Sequence, residues 1–65
     1  MSQTDQILQY LEAGNSITPR EAYAMVGSLA LHSRIADIRD RGYRVEKIMH
    51  SENGRRWGEY FLALP

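Results

Sequence analysis

The chain has 65 residues, eight of them basic and eight acidic, and no cysteine. That length holds one small domain, which buries only about 60% of the surface its unfolded chain exposes. The missing thiols exclude disulfides and thiolate metal sites, and zero net charge counts against a strong non-specific nucleic-acid binder, which is usually basic.

The start, "MSQTDQ", lacks both the charged and the apolar stretch of a leader peptide, and no apolar run approaches the length of a membrane span. These features and the absence of cysteine predict a cytoplasmic protein. The initiating Met reads as a complete small protein, one domain over residues 1–65. Charge is unevenly shared along it. Residues 1–27 set Arg20 against Asp5, Glu12 and Glu21, whereas residues 28–65 set seven basic residues against five acids. The second half can therefore face phosphate while the first faces away.

Ile7, Leu8, Tyr10 and Leu11 recur at helical spacing, which predicts a first helix from Thr4, its cap, to Ala13, with Gly14 ending it. "GNSI" is a short polar connection that holds Ile17. In "TPRE", Thr18 is an N-cap, Pro19 occupies the first helical position and Glu21 completes a capping box. Ile17 can staple onto Ala22. The second helix runs to Met25 or Val26 with Ala22, Met25 and Val26 inward, and Gly27 permits a tight turn. Ser28 caps a third helix that runs to Arg41 and is closed by Gly42.

Beyond Gly42 the pattern changes to β-branched and aromatic residues in "YRVEKIMH" and "RWGEYFLAL". Asn53-Gly54 between them is a two-residue hairpin turn. It sets Glu52 opposite Arg55, His50 opposite Trp57, Ile48 opposite Glu59 and Val45 opposite Leu62. The face with Tyr43, Val45, Lys47, Met49, Gly58, Tyr60, Leu62 and Leu64 is the more apolar and should lie on the helices. The other face carries Arg44, Glu46, Ile48, His50, Trp57, Glu59, Phe61 and Ala63. A bulge near the turn would swap part of this assignment. A hairpin must pack on something to be stable. Three helices followed by such a hairpin describe an α+β winged helix-turn-helix, with Ile17 placed to form a stub strand beside the wing.

On a helical wheel, Leu31, Ile35 and Ile38 centre the buried side of the third helix. Leu29, Ser33, Ala36 and Asp40 lie opposite, with Asp37 nearby. Recognition helices meet base edges mainly with their N-terminal residues. Here those are Ser28, Leu29, Ala30, His32 and Ser33, with Leu29 or Ala30 suited to a thymine methyl group and His32 and Ser33 to base-edge hydrogen bonds. Flanking Arg34 and Arg39 can reach phosphates. Asp37 and Arg41 are spaced to pair with each other, and a solvated outer face would show the same residues. At the hairpin tip, Arg55 and Arg56 are candidate contacts to a groove or backbone. Thr18 and Arg20 at the start of helix 2 are candidates for holding a phosphate. Capping and turn geometry explain Thr18 and Asn-Gly equally well.

The runs "ILQYLEAGNSITPREAYAMVG", "RIADIRDRGYRVE" and "NGRRWGEYFL" resemble the small helix-turn-helix domains of bacteriophages and prophages. The likeness covers nearly the whole chain and implies a DNA-binding protein. The reading is a sequence-specific binder of double-stranded DNA that regulates transcription, or an excisionase-like architectural binder made of the same parts. The rival is a protein-interaction module. Ile48, Trp57 and Phe61 on the outward hairpin face would then form a patch for a homodimer or another protein. Enzymatic activity is not expected: His32 and His50 fall on different elements, and no nucleophile, metal set or phosphate loop has suggestive spacing. No cofactor, membrane or small-molecule substrate is implied.

Overall fold

The structure is a computed structural model and describes residues 2–63. Helices α1 (Gln3–Glu12), α2 (Pro19–Val26) and α3 (Leu31–Asp40) precede strands β1 (Val45–Glu52) and β2 (Arg55–Leu62). The predicted order of three helices and an antiparallel hairpin is the fold observed; Leu64, assigned above to the helix-facing side, lies outside the described residues.

Helix α1 begins earlier than its sequence suggests. The Ser2 hydroxyl, not that of Thr4, accepts the capping hydrogen bond, from Asp5 N–H at 3.1 Å. Thr4 is buried, and its hydroxyl donates to Asp37 Oδ2 on α3 at 3.0 Å. Both residues precede the apolar run, and only tertiary packing decides between them. The capping box of α2 is present in full: Thr18 N–H donates to Glu21 Oε1, and Thr18 Oγ1 accepts from Glu21 N–H. Gly27 then turns the chain with φ at +72°. Ala22 is fully buried and Val26 packs on the core, but Met25 is 41% exposed, contrary to its inward assignment. An eight-residue helix offers the core too narrow a stripe to hold all three.

The start of α3 also departs from expectation. Its N-cap is Ala30, which supplies no side-chain bond. Ser28 is buried in the turn, and its hydroxyl accepts from Ala30 N–H at 3.4 Å. It therefore shapes the turn instead of capping the helix. Leu31, Ile35 and Ile38 face the core as expected. The anticipated Asp37–Arg41 pair does not form. Arg41 reaches Asp5 on α1 at 2.7 Å, and Asp37 lies beside Arg34 Nε at 3.2 Å. That Nε is buried and off the line of a hydrogen bond, so the contact is one of charge.

The Asn-Gly turn fixes the hairpin. Asn53 and Gly54 both have positive φ, the conformation of a tight two-residue hairpin turn. All four predicted pairings are present and no bulge interrupts the ladder. Ile17 forms the stub strand: its N–H donates to Tyr60 O and its C=O accepts from Tyr60 N–H, each at 2.8 Å. One hydrophobic cluster joins Ile7, Leu8 and Leu11 of α1 with Ile17, Ala22, the three inward residues of α3, Val45 and Tyr60. Burying each large aliphatic side chain contributes about 1.5–3 kcal/mol. Arg39 ties the end of α3 to the wing by donating to Val45 O at 2.8 Å.

Candidate nucleic-acid interface

The Ile17–Tyr60 bridge has a directional consequence. Its strands are antiparallel, so the chain leaving Ile17 heads along β2 toward the hairpin tip, and α2 starts there. The result is a cleft between two segments far apart in sequence. Thr18, Pro19 and Arg20 form one wall. Asn53, Arg55, Arg56 and Trp57 form the other, with Glu52 at its margin. The two candidate phosphate contacts that sequence reasoning named separately, Thr18 with Arg20 and Arg55 with Arg56, thus face the same space.

The walls differ in what they offer. At the start of α2, Thr18 is committed to the capping box, Pro19 has no N–H, and Glu21 N–H is already bonded. The Arg20 backbone N–H and guanidinium are what that wall presents. Across the cleft, Trp57 is half-buried and stacks on His50, with ring centroids 5.4 Å apart and planes inclined by 23°. His50 Nε2 lies 2.8 Å from Glu59 Oε1, and the Ser16 hydroxyl donates to the other oxygen of Glu59. The Ser16 hydroxyl first, and His50 second, hold the Glu59 carboxyl below its ordinary pKa. This chain keeps the Trp57 ring at the cleft and outside the core. Trp57 was assigned from sequence to a protein-binding face; Pro19, Glu52 and Asn53 were not singled out as site residues. The stub strand beside the wing was the signal for the cleft.

The arginines explain how a neutral chain presents a basic site. Arg34 is beside Asp37, Arg41 is bonded to Asp5, Arg44 to Glu46, and Arg39 to a backbone carbonyl. Lys47 holds its ammonium 5.9 Å from the centroid of the Tyr60 ring. Among the described residues, Arg20, Arg55 and Arg56 take part in no ion pair, and all three line the cleft. Three guanidinium groups without an ion-pair partner among the described residues are thereby brought to one end, with the carboxylates of Glu52 and of Glu21, which accepts from Thr18 N–H, as acidic neighbours there.

The N-terminal part of α3 supplies a second surface. Leu29 is 88% exposed, the most open large apolar side chain among the described residues. His32 is exposed, Ala30 and Ser33 are half-buried, and Ser28 is inaccessible. Of the two flanking arginines, Arg34 is half-buried beside Asp37, and Arg39 is exposed with its guanidinium on Val45 O. On the outward hairpin face, Ile48 is exposed, but Trp57 and Phe61 are half-buried and His50 covers part of Trp57.

No helix among the described residues is long and apolar enough to cross a membrane, and no cluster of potential metal ligands occurs among them. The sequence matches the family described as the winged helix-turn-helix domain over residues 2–65. No curated protein and no solved structure matches it.

Proposed function

The chain belongs to the winged helix-turn-helix domain family, and from that premise we propose that it is a sequence-specific binder of double-stranded DNA that acts in transcription regulation. The N-terminal part of α3 enters the major groove. Leu29 meets a thymine methyl group, His32 and Ser33 meet base edges, and Ala30 lines the approach. The cleft between α2 and the hairpin tip holds the sugar-phosphate backbone beside that groove, with Arg20 on one side and Arg55 and Arg56 on the other. Thr18 contributes by holding the helix start in shape. Arg34 and Arg39 act as structural ties first and as phosphate contacts only where the duplex approaches them.

The observation that carries this reading is the convergence of three unpaired guanidinium groups on one cleft, in a chain whose other basic groups are engaged. The test is duplex binding by fluorescence anisotropy across a salt series, using the chain's own upstream region beside a scrambled duplex. Tighter binding to the upstream region, falling steeply with salt, supports the reading. Equal, salt-insensitive binding to both duplexes would overturn it.

A further inference from the structure

The two edges of the wing are unlike. The edge of β2 is bonded to Ile17, whereas that of β1 has no neighbouring strand among the described residues. Ala63 N–H donates to Arg44 O across the hairpin, so the peptide groups of Arg44 point at β2. Alternation along the strand turns those of Val45, Lys47, Met49 and Ser51 outward. Arg39 covers Val45 O, and the peptide groups of the next three outward-pointing residues remain open. Proteins usually blunt such an edge with proline, a bulge or a charged side chain. Strand β1 has no proline and no bulge, and its lysine is folded back: the Lys47 stem lies against Gly58 and its ammonium sits by Tyr60. Side chains on the helix side are exposed at Lys47, Met49 and Ser51, so no helix overlies this stretch.

We propose that the β1 edge pairs antiparallel with the β1 edge of a second copy of this chain, about a two-fold axis at Ile48. Lys47 and Met49 then exchange backbone hydrogen bonds with the partner's Met49 and the partner's Lys47. On the outward face, Arg44 meets the partner's Glu52, Glu46 meets the partner's His50, and Ile48 meets its own equivalent. Arg44 and the partner's Glu52 carry opposite charges, which stabilise a strand pair when they face across it, whereas like charges destabilise it. Moving the register by two residues one way sets Glu46 against the partner's Glu52. Moving it the other way sets Glu46 against apolar Ile48 and leaves Glu52 alone. The strand is thus self-complementary in one register.

A single strand edge is a small contact beside the roughly 1,200 Å² of a stable interface, so the pairing is weak in free solution. It has a geometric outcome at the cleft. Asn53 lies five residues beyond Ile48, which places the two hairpin tips about 34 Å apart at roughly 3.4 Å per residue. That distance is one turn of B-DNA, the half-site spacing of helix-turn-helix dimers. The correspondence rests on the DNA reading above; the strand pairing does not.

The absence of native cysteine makes the register directly testable by cross-linking. Under mild oxidation without DNA, Ile48→Cys forms disulfide dimers at least about tenfold faster than Tyr23→Cys, an exposed control on α2, because pairing raises the local thiol concentration. Glu46→Cys mixed with His50→Cys gives the mixed dimer in excess over either self-dimer. Adding Met49→Pro removes an edge N–H that β2 does not use. It returns the Ile48→Cys rate to that of the control, while Arg55→Ala with Arg56→Ala leaves that rate unchanged. Equal rates for Ile48→Cys and Tyr23→Cys, or no preference for the mixed dimer, would overturn the proposal whatever the outcome with DNA.

Discussion

Replacing Arg55 and Arg56 together by alanine tests the cleft most directly. Each guanidinium set against a phosphate releases condensed counterions, and the logarithm of affinity falls against the logarithm of salt with a slope of about −0.9 per phosphate. Three unpaired arginines at the cleft therefore account for a slope of about −2.7, of which the double variant removes about 1.8. Between about 50 and 200 mM salt, the native chain should accordingly lose about 12-fold more affinity than the variant. Anisotropy of a labelled duplex read across that range gives both slopes in one experiment. Arg44→Ala is the matched control: it also removes a positive charge, but from an exposed arginine paired with Glu46 at the far end of β1. If the double variant keeps the native slope, or if Arg44→Ala flattens it as much per charge, the cleft does not hold phosphate.

Four other outcomes follow from the same structure. His32→Ala should narrow the gap between specific and scrambled duplexes while changing affinity for the scrambled one little; competition binding would show an equal loss on both if His32 does not meet base edges. Ile17→Ala removes a fully buried side chain that joins the wing to the helices, and urea unfolding should register a loss of about 2–5 kcal/mol. Gly27→Ala forces a Cβ into a left-handed conformation with open space around it, so it should cost about 1–2 kcal/mol through backbone strain alone. Asp5 is held below its ordinary pKa of 3.8 by Arg41 first and Ser2 second, and Glu59 below its ordinary 4.5 by Ser16 and then His50. Both carboxyls bind a proton more readily in the unfolded chain, so their contribution is complete above the ordinary values and is lost as pH falls through the lower folded ones. Thermal melts between pH 6 and pH 2 should therefore show a shallower acid decline for Asp5→Asn with Glu59→Gln than for the native chain.

The hairpin was the most legible part of the sequence because Asn53-Gly54 admits one tight geometry, and the turn then dictates every pairing as far as Val45 and Leu62. The start of α2 was equally plain, since its cap, proline and glutamate act within four residues. The errors arose where a side chain had a distant alternative. Thr4 looks like a cap until α3 offers Asp37, and Asp37 looks like a partner for Arg41 until α1 offers Asp5. Ser28 looks like a cap until the turn buries it. The site shows the same division. Its residues were named from sequence as two separate groups, and their meeting depends on the Ile17–Tyr60 bridge, which sequence anticipated as a strand but not as the hinge of a cleft.

That bridge also governs how motion is shared. Its two backbone hydrogen bonds lie a single residue before the α2 cap and three residues from Trp57, so the hairpin tip and the start of α2 are joined through backbone as well as through the side-chain packing of Ile17 and Tyr60. The two walls of the cleft are thus tied to each other at their base by backbone. The Ile17 and Tyr60 amides should then exchange with solvent only when the whole domain opens, while those of the α1 C-terminus exchange through local fraying.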